Sequence, residues 1–494
     1  MMVKSKSFTL WFTMCICPLT FLMKGQSFDI MGVFNYGGVW SMLTNPASSC
    51  DNLLKLDVAG TGINFSYLNN GLLLDLDLIR DGIPLNENVF FSRYVKVPST
   101  LPEKLMIFSN YDILLPSLRY SITDKLSAGI FIRRRFFLNI DNLNKETVFL
   151  TITMLKSPDF WFEYKIENFH SSFTAYNEFG LNFSSVVFNL WQHFFKAGFN
   201  FKVIYGLGNL YAYSPLVHYH FSDSATLTFK ADVHYGHSRN FSLREFNFIF
   251  NPSVAWDPSL PFVSGAAPAL DLGIVYEFRP FYRDFLYEMD GNPNRLDETQ
   301  TKYLLKASLS LLDLGSITFT RGIFSGRFLS NIENWDIKTI RWQSIEDFDD
   351  TLRAKTTLEQ EFGKYIIKLP ATIVFSLDIK PLKSHDLYLN YTGFFPFMRT
   401  EEPFQIHSLL KHVISIRGDW RGSGIIIPLV YYPWAKTLKP GIGFHAGPFW
   451  LYFSPITLPA LSSFVNTAEI QGGFSIPIYS RKPPDRDCLL YTSP

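Results

Sequence analysis

Three arrangements of side chains in this 494-residue chain have types and spacings that could do chemistry. Four of its ten histidines fall between His218 and His237. His218 and His220 are two residues apart, so on an extended strand they share a face and could ligate a metal. No cysteine or carboxylate stands at a matching offset, and His234 falls several pairs away along the same hairpin. No metal is therefore expected, with His218 and His220 the weak candidates at a lumen or rim. His237 followed by Ser238 is the one pairing that suggests a base and its nucleophile, but neighbours on a strand point to opposite faces. No catalytic residue, enzyme activity or cofactor is expected. Asp290, Asn292, Asn294, Asp297 and Glu298 offer oxygen ligands to a cation, but without EF-hand spacing and with Pro293 among them they read as a loop.

The chemistry that remains is electrostatic. Glu178, Lys196, Lys202, Lys230, Asp232, Asp271, Glu277, Arg279, Lys306, Asp378, Lys380, Arg417 and Asp419 recur on the polar side of segments whose other side is apolar. Their mixed signs predict a charge-balanced lining that holds water and ties strands together. A strongly selective ion pore would show one sign in excess. In Arg133-Arg134-Arg135 the middle residue falls on the apolar side. Near a bilayer midplane that would cost about 2–4 kcal/mol, falling toward zero at the interface. Arg134 is therefore expected at a strand end, where guanidinium groups meet lipid phosphates.

The elements that must carry these residues are strands. From Phe195 to Tyr205, Phe195, Ala197, Phe199, Phe201, Val203 and Tyr205 alternate with Lys196, Gly198, Asn200 and Lys202. The same period of two returns at Leu227–Tyr235, Leu270–Phe278, Leu305–Leu311, Ile373–Ile379 and Ile414–Trp420. Only 18% of residues are charged and 17% are aromatic, against about 25% charged in ordinary globular proteins. Yet mean hydropathy is only +0.06. Helical spans need roughly 20 continuous apolar residues each, and past the N-terminus no such run exists. Strands that are apolar on one side and polar on the other can face lipid while enclosing water. An open sheet edge in hydrocarbon leaves backbone groups unsatisfied, so the sheet must close. A secreted β-sandwich also alternates, but it seldom needs so many Phe and Tyr. The expectation is an all-β, antiparallel, up-and-down transmembrane β-barrel of about 14 strands, roughly 12–16. With a net charge of +1, nucleic acid is not an expected partner; outer-membrane lipid is.

Residues 1–27 read as a secretory signal, with Lys4 and Lys6 before the apolar core Phe8–Met23 and small residues Gly25 and Ser27 before a cut at Phe28. Residues 28–51 precede the first good strand and are expected to plug the lumen, residues 52–480 to form the barrel, and 481–494 to be a tail. The end Cys488–Pro494 reads as a translated sequencing adapter, so the genuine chain is expected to stop at or before Asp487. Cys15 and Cys17 would leave with the signal, so one thiol, Cys50, and no disulfide is expected. Phe281–Gln300 and Ser325–Phe362 break the alternation and read as long outer loops, or, for the second, with a patchy helical pattern through Ile345, Phe348, Leu352 and Leu358, as a short helix covering an opening.

Asn45-Pro46-Ala47, just ahead of the first strand, resembles the N-terminal signature of long-chain fatty-acid transporters of the outer membrane. Further blocks are similar to a domain-of-unknown-function family of Bacteroidetes-type outer-membrane β-barrels. They include LLPSLRYSITDKLSAGIFIR from Leu114, HFFKAGFNFKVIYGLG from His193, LDLGIVYEFRP from Leu270 and YLLKASLSLLDLGSITF from Tyr303. The resemblance implies a barrel in the outer membrane of a Gram-negative bacterium, with Asn45, Pro46 and Ala47 part of a plug. It implies no substrate. Two functions remain open: a passive channel for hydrophobic or amphiphilic small molecules, and a non-transporting barrel that partners secretion or cell-surface proteins.

Overall fold

A computed structural model describes residues 28–75, 93, 95–96, 98, 101–145, 163–221, 226–239, 265–289, 292–323, 325–336, 350, 353–397, 404–454 and 464–480. Residues 1–27 and 481–494, where the signal and tail are expected, lie outside them. Among the described residues about 14 strands form a closed antiparallel ring. In chain order they are Leu54–Asn69, Lys104–Leu114 continued by Ser117–Ser121, Leu126–Asn144, Glu163–Leu190, His193–Phe221, Ala267–Phe278 and Leu305–Thr320. Then come Thr372–Ile379, Leu387–Pro396, Lys411–Trp420, Ser423–Tyr432, Thr437–Pro440 continued by Ile442–Ala446, Phe449–Ser454 and Thr467–Tyr479. The ring closes because the first strand pairs with the last on one side and with Lys104–Ser121 on the other. No sheet edge is then left in the bilayer, which is the condition for β structure to span it.

The alternation sorts residues between lipid and lumen. Leu181, Phe199, Leu272, Ile416 and Ile427 are exposed on the outside, whereas their neighbours Asn182, Asn200, Asp271, Arg417 and Ile426 are buried inside. No helix among the described residues is long and apolar enough to cross a membrane; the crossing elements are the strands. One end of the ring carries short turns such as Trp191-Gln192, Arg421-Gly422 and Gly447-Pro448, together with the first residue of the first strand and the last of the last. The other end carries the long connections, the periplasmic-short, outer-long asymmetry of this class.

Two expectations change here. Phe281–Gln300 lies at the short-turn end, because Phe278 pairs with His193 beside the Trp191-Gln192 turn. It folds into a 3-10 turn, Tyr282–Phe285, and a small hairpin, Leu286–Met289 with Asn292–Leu296. Within Ser325–Phe362, Gly326–Asp336 and Thr357–Gln360 are strands, since edge pairing with a neighbour overrides a weak local pattern. Residues 337–349, part of the helical pattern, lie outside the described residues. Strands Glu163–Leu190 and His193–Phe221 have 28 and 29 residues, far beyond the 9–11 that a span needs. Their outer halves continue past the ring into a wing, where His193–Phe221 pairs with Thr226–His237, which pairs with Gly326–Asp336.

Candidate functional site

The site is the lumen, which is filled from two directions. From the short-turn end comes the segment 28–51, with helices Asp29–Gly32 and Gly38–Thr44 and a 3-10 turn at Pro46–Ser49. Asn45 caps that turn: its Oδ1 accepts from the Ala47 amide at 3.0 Å while its Nδ2 donates to the Ile274 and Leu309 carbonyls. Pro46 sits at the start of the turn, where no amide donor is needed. The wall makes room at Gly198, where a Cβ would stand 2.8 Å from the Pro46 and Ala47 backbone, and at Gly62, where it would meet the Trp40 ring. Trp40 is fully buried between Phe28, with ring centroids 4.9 Å apart, and Trp450, at 5.0 Å.

Around these apolar anchors the seam between plug and wall is polar. Ser49 hydrogen-bonds Ser127, Asn182 and Ser184 at 2.9, 2.5 and 2.6 Å. Arg119 donates to the Ser49 carbonyl at 2.8 Å, and Asn200 to that of Met42 at 3.0 Å. Asp57 accepts from the Val39 amide, and Asp419 from that of Asn35, both at 2.7 Å. Lys411 pairs with Asp29 at 2.6 Å and Glu469 at 3.2 Å. Asp51 meets Arg279 and, at 3.4 Å, Lys302. Burial alone would raise the Asp51 carboxyl, but these cations outweigh it and hold it below the usual range.

Above the plug lies a buried ion network. Lys202 Nζ stands 2.6 Å from both Asp271 and Asp313, and Arg135 reaches Asp112 at 2.9 Å and Asp313 at 2.8 Å. Arg133 pairs with Glu178 at 2.8 Å. Asp313 is delivered by an irregularity in its strand: the register slips between Leu270 and Leu272, and Asp313 takes φ 60°. That left-handed position suits Asp better than most non-glycine residues.

The expected lumen residues fall into distinct groups. Glu178, Lys202 and Asp271 belong to this network. Lys196, Glu277 and Arg279 form an ion-paired set, with Lys196 to Glu277 at 2.9 Å. Asp378, Arg417 and Lys306 form another, with Arg417 to Asp378 at 2.8 Å and Asp419 beside it. Lys380 bonds Asp386 at 2.7 Å. Lys230 and Asp232 stand apart, on the wing strand Thr226–His237. Lys230 is exposed and Asp232 meets Arg327 at 2.8 Å. Alternation cannot tell a strand in the ring from one beyond it, and these two are beyond it. Arg134, expected among lipid phosphates, is buried and donates to Asn177 at 2.8 Å. His218 lies against Glu163 at 2.5 Å. His220 is opposite Thr228, and no group of three metal-ligating side chains occurs among the described residues. His237 Nδ1 meets the Ser238 carbonyl, not its hydroxyl. Sequence reasoning missed Arg119, Asp112, Lys411, Glu469 and Asp313. Their signal was a charge at an inward register position, visible only once the pairing is known.

From the long-loop end the segment 404–409 folds into the lumen. Gln405 bridges Lys368, and Ile406 and Leu409 are buried. His407 exchanges two 3.2 Å hydrogen bonds with Asn139 through its own backbone, and its Nε2 lies 2.9 Å from Asp141, which His170 also approaches at 3.4 Å. Burial disfavours a charged His407 imidazole, yet Asp141 outweighs it and raises its pKa. The surroundings are aromatic: Tyr211, Tyr365 and Phe404 pack with centroids 4.9–6.0 Å apart.

A closed ring, an apolar belt and a lumen filled by its own chain define a plugged transmembrane β-barrel. The chain belongs to DUF5723, a family of unknown function whose model matches residues 46–452. Among curated proteins no sequence matches. Similar solved structures include the toluene transporter TodX of Pseudomonas putida, at 9% identity over 92% of this chain and 98% of that one, with a TM-score of 0.33. The translocator domain of the autotransporter NalP from Neisseria meningitidis is 6% identical over 86% and 89%, with a TM-score of 0.28. A Pseudomonas aeruginosa FadL homologue is 10% identical over 88% and 91%, with a TM-score of 0.25.

Proposed function

We propose that the protein is an outer-membrane channel for hydrophobic or amphiphilic small molecules, closed at rest and opened by a shift of its plug. One observation carries this reading. Eight strands already enclose about as much as side chains alone can fill, and a ring of about 14 is wider. Here the excess is filled by a separate segment, 28–51, which packs apolar side chains such as Phe28, Val39 and Trp40 into the lumen and is tied to the wall by hydrogen bonds and ion pairs. Such a segment can leave and return, whereas a wall of interlocked side chains cannot. The aromatic cluster of Tyr211, Tyr365 and Phe404 in the outer lumen offers an apolar solute ring faces to pack against. A signal such as that read in residues 1–27 would deliver the chain across the inner membrane.

The second reading, a non-transporting barrel for secretion or surface proteins, is favoured by the wing of strands beyond the ring and by closure at both ends. Planar-bilayer conductance of the purified chain, beside mass spectrometry of co-purified lipids, separates the two. Gly198→Leu, which wedges Pro46 and Ala47 off the wall, is expected to raise conductance at least tenfold over the wild type. Silence from both proteins with no bound apolar molecule would sink the channel reading and leave the partner role.

A further inference from the structure

At the short-turn end, between plug and wall, lies a cavity of about 50 Å³. Its walls come from the plug, from inward residues of the ring, and from the connection through 300–303. Six of its lining residues are charged: Lys196, Arg279, Lys302 and Lys306 against Asp51 and Glu277. The cavity wall thus carries four cations and two carboxylates. Asp378, 3.6 Å from Lys306, is already held by Arg417 at 2.8 Å.

The cations are unevenly used. Lys196 has a close partner in Glu277 at 2.9 Å. Lys302 is 3.4 Å from Asp51, and Lys306 is 3.4 Å from the Asn35 carbonyl oxygen and 3.6 Å from Asp378. Charge-assisted hydrogen bonds normally run about 2.7–2.9 Å, so both ammonium groups have hydrogens to spare. Two other lining residues hold idle donors: among the described residues neither Arg279 Nη1 nor Asn35 Nδ2 has a hydrogen-bond partner, although both are buried. Buried donors are rarely left so, because each gives up the hydrogen bonds it made to water and gains none in return. Among the lining residues only donors are orphaned, and their excess charge is positive. Water satisfies a donor but does not offset charge.

We propose that this cavity is a binding site for a small oxyanion of the phosphate class, bound at once by the plug through Asn35 and by the wall through Arg279 and Lys306. The volume suits it: at about 10–15 Å³ for each water-sized group, it has room for about four, the number of oxygens in phosphate. The anion would add a tie between plug and barrel, whether or not the plug ever moves, so the site stands independently of conduction.

The test uses the purified full-length chain in detergent, titrated with inorganic phosphate at fixed ionic strength against chloride and followed by calorimetry and thermal melting. Saturable binding and a rise in Tm with phosphate but not chloride are expected. Lys306→Gln and Asn35→Ala, which remove one loosely held cation and one idle donor, are each expected to weaken binding at least fivefold. Lys230→Gln, exposed on the wing, should leave it unchanged. A parallel titration with glycerol 3-phosphate tells a free ion from a lipid headgroup. Binding of phosphate alone assigns the site to the ion, and binding of both means that it admits a phosphate ester. Phosphate that acts no differently from chloride, or binding indifferent to both substitutions, overturns the proposal. Silent conductance with intact phosphate binding would remove the channel and keep the site.

Discussion

The two halves of the lumen are both closed by segments with apolar side chains, but one is tied to the wall by many polar contacts and the other by few. Toward the short turns, a chain segment buries Phe28, Ile30, Val39, Trp40 and Met42 and is tied to the wall all round by hydrogen bonds and ion pairs. Toward the long loops, Ile406, Leu409 and Phe404 lie in a setting of Tyr211, Phe319, Tyr365, Ile367 and Val413, with side-chain polar contacts at His407 and Ser408. Polar seams are directional, so they fix the plug in one register, and they come apart into groups that water can solvate. Apolar contacts are non-directional and proportional to area, so they tolerate sliding and accept an apolar guest in place of a side chain. In the channel reading proposed above, the inner half is the lock and the outer half the place where an apolar solute is received. The difference teaches that a barrel too wide for its own side chains need not be closed twice in the same way.

Substitutions break this contrast in a graded order. The largest effect is expected where charge is buried. Asp313→Ala removes the carboxylate shared by Arg135 and Lys202, leaving them Asp112 and Asp271 alone in a buried network, and should cost about 3–5 kcal/mol. Heat-modifiability on gels and guanidinium unfolding would measure it, and a loss below about 1 kcal/mol would mean that water solvates the network. Ile406→Ala, in the outer half, leaves only a cavity and should cost about 3 kcal/mol. If the outer half is the softer one, small apolar molecules should recover part of that loss in a melting assay.

A smaller effect sharpens the contrast by pH. His407 has its pKa raised in the folded state, so its contribution is complete below its ordinary value near 6.5 and fades as pH rises through the raised one. Hydrogen exchange of residues 404–409 should quicken as pH rises, beyond the intrinsic base-catalysed rate. His407→Gln should flatten that excess without loosening the inner plug. An equal response in residues 28–51 would show that the halves are coupled. Least of all, Lys230→Gln on the wing should change stability by no more than about 0.5 kcal/mol.

Much of the architecture was legible because membrane strands obey a rule that a single segment can display. The face carrying Phe199 and Phe201 is greasy and the face carrying Asn200 and Lys202 is polar. In hydrocarbon that contrast, together with the need to pair every backbone group, leaves a closed ring as the solution. The site was less legible. Lys230 and Asp232 alternate as cleanly as Lys196 and Lys202, yet they sit on a wing, since the period of two records only which side of a strand a residue occupies. Arg133-Arg134-Arg135 reads as a strand end until its neighbours appear, when Asp112, Glu178 and Asn177 explain all three.

By itself the sequence determined the period, the apolar belt and the presence of an aperiodic N-terminal segment carrying Asn45-Pro46-Ala47, because these depend on near neighbours along the chain. Tertiary structure alone decided which carboxylate meets which cation, that Asp313 turns inward at a register slip, and that Gly198 leaves a seat for Pro46. Those outcomes depend on groups far apart in sequence that meet only when the ring closes and its register is set.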